Sequence, residues 1–157
     1  MNFAPVPLNE TLQRRHMRLL IRAEKIARDI VPVSGARVAA ILATGNNELS
    51  FGINLQKSHP FAAKYGKNAN AIYLHAEASA IYNGIKAAGA DTLRSMKTTL
   101  YVCRVRHLKP NDASFAWGMA EPCSGCLQAI DEFQIKRVVF TLDCGCDERN
   151  FEVWERR

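Results

Sequence analysis

The sequence has no long hydrophobic run. Its longest apolar stretch, Val38 to Ala43, falls far short of the ~20 residues needed to span a bilayer. The opening Met1-Asn2-Phe3-Ala4-Pro5-Val6-Pro7 lacks the basic and apolar regions of a secretory leader. These absences predict a soluble, cytoplasmic protein with no membrane partner. Internal repeats, low-complexity tracts and Pro/Gly/Ser-rich linkers are missing as well, so solenoid and multi-domain layouts are excluded.

What remains is ordinary globular material. The 157 residues suit a single domain, 1–157, and the 48% hydrophobic and 23% charged fractions fit a packed core rather than a disordered or fibrous chain. Five cysteines in a reducing compartment point to metal or redox chemistry rather than a disulfide framework. The net charge of +6 suits an anionic substrate such as a nucleotide, or a nucleic acid, without deciding between them. Much of the positive charge falls on one helical segment (Arg14, Arg15, Arg18, Arg22, Lys25, Arg28), whose plainest role is a solvated face.

Periodicity sets out the elements. Residues 10–30 read as a helix, with Leu19, Ala23, Ile26 and Ile30 at helical spacing, stopped by Val31-Pro32. The apolar run Ala36 to Thr44 predicts a strand buried on both faces. Gly45-Asn46-Asn47 supplies the turn into a second strand, Leu49 to Leu55, and the two should form a hairpin. Residues 56–71 read as a polar loop. A second helix is expected from His75 to Ala88, ended by Gly89. Thr98 to Val105 is the third strand, and 106–120 a second loop. Pro122 opens a third helix running to Glu132 or Phe133. Lys136 to Leu142 is the fourth strand and Phe151 to Trp154 a short fifth. The connection between these last two is too short for a crossover, so the fifth strand should return antiparallel. The expected fold is α/β: a three-layer α/β/α sandwich around a mixed five-stranded sheet.

Two short motifs carry chemistry: His75-Ala76-Glu77, and later Pro122-Cys123-Ser124-Gly125-Cys126. Cys123 and Cys126 are three positions apart at a helix start, so both sulfurs can face one way. The positive end of the helix dipole favours their thiolates, the metal-binding form. With one imidazole nitrogen from His75, they suit Zn2+ and leave a fourth tetrahedral position open, as a catalytic rather than structural site requires. Zinc makes water acidic near neutral pH. Glu77, two residues beyond His75, is the candidate catalytic acid–base that accepts a proton from that water and passes it on. Cys103 sits in an apolar strand and reads as a small buried hydrophobe. Cys144 and Cys146 flank Gly145 in a turn; they are read as free thiols, with a second metal site as the sharper alternative.

Paired in this order, the two motifs resemble the signature of zinc deaminases, and the resemblance to the cytidine deaminase superfamily covers nearly the whole chain. The entry Val31-Pro32-Val33-Ser34-Gly35-Ala36-Arg37-Val38 resembles that of nucleoside deaminases, and Gly52-Ile53-Asn54-Leu55-Gln56 resembles the segment with which they hold ribose. This implies Asn54 and Gln56 as substrate-binding candidates, although the family has glutamate where this chain has Gln56. Ala76, between the metal ligand and the acid, is counted with them. His-Ala-Glu is the form of deoxycytidylate, guanine and tRNA adenosine deaminases, whereas the Cys123 segment and the hairpin ending look like the nucleoside enzymes. The chain also resembles small bacteriophage deaminases. The resemblance implies hydrolytic conversion of cytosine to uracil in a free nucleoside or nucleotide, with release of ammonia, by a homo-oligomer.

Two loops are expected to select the substrate. In 56–71, Lys57, His59, Lys64, Tyr65 and Lys67 are candidate phosphate binders or simply solubilising residues. In 106–120, Phe115 and Trp117 either wall the base pocket or pack beneath the loop. Two alternatives stay open: a deaminase of single-stranded nucleic acid or another base, motivated by the basic helix, and a non-catalytic zinc module, which would have no need of Glu77.

Overall fold

The computed structural model describes residues 3–30, 37–54, 59–65, 74–107, 115–143 and 148–157. Its elements are β1 (Phe3–Pro5), α1 (Glu10–Arg28), β2 (Arg37–Thr44), β3 (Asn47–Ile53), α2 (Pro60–Tyr65) and α3 (Ala76–Ala88). Then come α4 (Ala90–Ser95), β4 (Thr99–His107), β5 (Phe115–Gly118), α5 (Ser124–Glu132), β6 (Arg137–Thr141) and β7 (Phe151–Arg156). Among the described residues the sheet has seven strands, not the expected five, in the order β1-β7-β6-β4-β2-β3, with β5 paired to β4. The two additions are β1 and β5, each too short to show an alternating pattern. The regions read as loops hold α2 and β5, and α4 follows Gly89, whose φ of 86° stops α3 as glycine readily does.

The sheet is mixed. β4 and β6 run parallel, joined through α5, while β2–β3, β2–β4 and β6–β7 are antiparallel. Strand alternation divides the core in two. Ala39, Ile41, Tyr101, Cys103, Val105 and Val139 pack against Leu19, Leu20, Ala23 and Ala27 of α1. Ala40, Leu42, Leu100, Val102, Val138 and Phe140 pack against Ala80 and Ile81 of α3 and Ala129 and Ile130 of α5. Helices thus cover both faces, as expected. Along α1 the arginines are mostly turned outward; Arg22 meets Glu48 at 3.4 Å, an exposed pair of small energetic value.

One contact sets where α3 lies. A Cβ on Gly52 would stand 2.4 Å from the backbone nitrogen of Ala80 and 2.6 Å from Ser79 Cβ, so only glycine lets the helix rest directly on β3. Ser50 Oγ donates to Ala80 O at 2.7 Å and Asn83 Nδ2 to Phe51 O at 2.8 Å, tying the same seam. Gly52→Ala should therefore destabilise the fold by ~1–3 kcal/mol through overpacking, read as a lowered denaturant midpoint.

On the opposite face His16 is fully buried, with Nδ1 2.9 Å from Tyr101 Oη. Burial, with the nearby charges of Arg137 and Arg15, holds it down to about 4. The imidazole is thus neutral in the fold but takes up a proton when unfolded below its ordinary value of 6.5. Its contribution is complete above that value and is lost as the pH falls toward 4. Between pH 7 and 5 this amounts to about 2 kcal/mol. Denaturant titrations at both pH values should show a smaller acid-side loss in His16→Leu than in the native protein; equal slopes would acquit His16.

Candidate active site

His75 and Cys123 occupy equivalent places, the N-cap positions of α3 and α5. Neither caps its helix with a side-chain hydrogen bond; both side chains turn toward a common point. Cys126, one turn into α5, joins them from beneath and is buried. His75 Nδ1 lies 3.6 Å from Cys123 Sγ and 3.5 Å from Cys126 Sγ. The three donor atoms all fall within 4.8 Å of one another. A tetrahedral centre with metal–sulfur bonds of about 2.3 Å and metal–nitrogen bonds of about 2.05 Å separates sulfur from nitrogen by about 3.6 Å. The spacing and the N/S/S donor set therefore fit zinc.

The protonation of the set is coupled. The Cys126 thiol donates toward the Cys123 sulfur and, with His75, pulls Cys123 down to about 3. The same interaction, then burial, pushes Cys126 up. Glu77, in the first turn of α3, is 6% exposed. Burial raises its carboxyl, opposed in part by His75. It stands outside the three-donor group, so among the described residues the acid is a neighbour of the ligand set rather than a member.

A cavity of about 270 Å³ opens over these residues. His75, Ala76, Glu77 and Cys123 form one side, and Asn54 and Val38 another. Asn54 Oδ1 accepts from Val38 N–H at 2.9 Å, which fixes that side chain at the wall. Val102, Arg104, Met119, Ala120 and Glu121 complete the lining. Arg104 and Met119 escaped the sequence reading; the signal for the first was an arginine inside the otherwise apolar strand Thr99–Val105. A larger hollow of about 650 Å³ between β3 and α3 includes none of the three donors.

Trp117 does not wall the cavity. It follows the odd parity of β5, faces α1, and is 2% exposed with Nε1 donating to Glu24 Oε1 at 2.9 Å. Phe115 shares that face, packed against the α1 layer. The lysine-loop candidates that can be placed also lie elsewhere. Lys64 and Tyr65 both meet Glu132, and His59 meets Tyr82 edge to face in the larger hollow. Gln56, Lys57, Lys67, Cys144 and Cys146 lie outside the described residues. Cys103 is buried, and burial pushes its thiol up.

The family model described as the cytidine and deoxycytidylate deaminase zinc-binding region matches residues 11–142. No curated protein matches the chain. Among solved structures, the dCMP deaminase of cyanophage S-TIM5 in apo form is similar at 18% identity and a TM-score of 0.49, over 89% of this chain and 90% of that one. The same enzyme in complex with dCMP and dUMP gives 18% and 0.45, over 84% and 82%. The ligand geometry itself sets an expectation. Cys126→Ser should weaken zinc binding beyond the ~10–100-fold typical of losing a supporting group around a metal, measured by competition with a chromogenic chelator.

Proposed function

Because this chain belongs to the cytidine and deoxycytidylate deaminase family, we propose that it hydrolyses the amino group from cytosine in a free nucleoside or nucleotide. The products are the uracil compound and ammonia. The observation that carries this reading is Glu77: a buried carboxyl on the same cavity as the donors His75 and Cys123, yet not a member of the His75, Cys123 and Cys126 set. A purely structural metal site has no use for such an acid.

Those three residues would hold zinc, which would supply the Lewis acid that makes water nucleophilic near neutral pH. Glu77 takes a proton from the attacking water and gives it to the ring nitrogen beside the amino-bearing carbon. Glu77 then carries the proton of the newly attached hydroxyl to the departing amine, which leaves as ammonia while the carbonyl of uracil forms. Asn54 and Ala76 at the wall, and Met119 at the rim, hold the base and sugar against Glu77 and keep bulk water out.

A free monomer suits the architecture better than a polynucleotide. The arginine-rich helix α1 covers the sheet face opposite to that of α3 and α5, so it lends no charge to the cavity. Homo-oligomer assembly belongs to the same reading. β3 ends the sheet, and Phe51 on it is 48% exposed, a surface suited to cover by a second copy.

Ammonia release from cytidine, deoxycytidine, their monophosphates and a cytosine-rich oligonucleotide tests the proposal. Glu77→Ala should lower turnover of a monomer by ~10²–10⁴-fold with zinc still bound. Turnover within tenfold of the native protein would sink the assigned role.

A further inference from the structure

Arg104 is the one cation among the described residues lining the cavity, and the sheet holds it there. On β4 it stands two residues beyond Val102, on the same face and about 7 Å further along the strand. Val102 is fully buried at the floor; Arg104 is exposed at the mouth. That span is of the order separating the reacting end of a pyrimidine from a 5′-phosphate.

Its direction is set by its neighbour. Arg104 pairs directly with Gly118 of β5, and a Cβ on Gly118 would lie 3.2 Å from both Arg104 Cγ and Arg104 Cδ. The arginine stem therefore lies across the bare glycine, toward the rim carrying Met119 and Glu121. The backbone beneath it is fastened: Thr141 Oγ1 accepts from Arg104 N–H at 3.2 Å and donates to Gly118 O at 2.7 Å.

Arg106, the next residue on that face, has its guanidinium on both oxygens of Asp143, at 3.1 and 3.0 Å. Arg104 has no carboxylate partner among the described residues. Two arginines side by side thus differ: one is neutralised, the other is aimed at the cavity. Two carboxylates share that lining, Glu77 at the floor and Glu121 at the rim. Glu121 is exposed, where solvent and salt screen its charge.

We propose that Arg104, laid over Gly118, recognises the 5′-phosphate of the substrate, so that the site selects nucleoside monophosphates over nucleosides. This rests on the deaminase reading of the cavity. A guanidinium meets phosphate oxygens through paired charge-assisted bonds, and Gly118 is a positioning residue whose lack of a side chain fixes the approach.

Calorimetric binding of dUMP and deoxyuridine to the zinc-loaded protein, at fixed ionic strength, reads the effect without catalysis. The native protein should bind the monophosphate about 10–100-fold more tightly. Arg104→Gln should bring that ratio near one, and Arg104→Lys should keep part of it as a point charge. Gly118→Val, which suits a strand, should displace the arginine stem and shrink the ratio as well. A ratio unchanged in Arg104→Gln, or no discrimination or binding by the native protein, overturns the assignment. Monophosphate preference that depends on Arg104, in a protein that deaminates nothing, upholds the phosphate site and discards the reaction instead.

Discussion

Two helices begin at one point in space, and the residue that begins each turns its side chain toward the other. α1, which takes no part in the site, has an ordinary start: Asn9 Oδ1 accepts from Leu12 N–H at 2.9 Å. α3 and α5 forgo that bond at His75 and Cys123, at a cost of about 1 kcal/mol for each helix. What they gain is convergence. The helix dipoles present positive ends to the same spot, where the Cys123 thiolate and a developing negative charge are favoured. Cavity, ligand set and acid follow from that meeting.

The meeting is held by seams elsewhere. Gly52 lets α3 lie on the hairpin, which brings Asn54 to the wall as His75 arrives at the floor. α5 is placed by the parallel pairing of β4 with β6, since its chain must cross over between them. Thr141, fully buried, ties β4 and β5 at the strand end nearest the cavity. On the other face, Glu24 is largely buried but paired, taking Trp117 Nε1–H and the Arg149 guanidinium at 3.2 Å. Removing Arg149 would leave the Glu24 carboxylate without its countercharge inside the α1 layer.

Local pattern carried much of this. α1, α3 and α5, and the strands from β2 to β4 and in β6 and β7, are long enough for their period to show. The antiparallel return of β7 followed from loop length alone. β1, at three residues including Pro5, and β5, at four ending in glycine, have no period to read. α2 and α4 are single short turns of six residues, below the length at which helical spacing is distinctive. The donors His75, Cys123 and Cys126 were legible because each motif is compact in sequence. Trp117 misled because nearness in sequence to Cys123 is not nearness in space. On a strand the neighbour of a residue facing the cavity faces away from it. Arg104 and Met119 reach the cavity through the pairing of β4 with β5, a register that short-range periodicity does not encode.

Strand parity in β5 also joins two properties that would otherwise vary independently. Trp117 is anchored in the α1 layer, and the adjoining Gly118 carries the stem of Arg104 on the opposite side. Substitutions that repack Glu24 or Trp117 to raise thermal resistance move the rail on which the arginine rests. Drift in the layer furthest from the chemistry is thereby converted into drift in selectivity. A lineage, or a designer, that reshapes this layer alters substrate preference without changing a residue that meets the substrate.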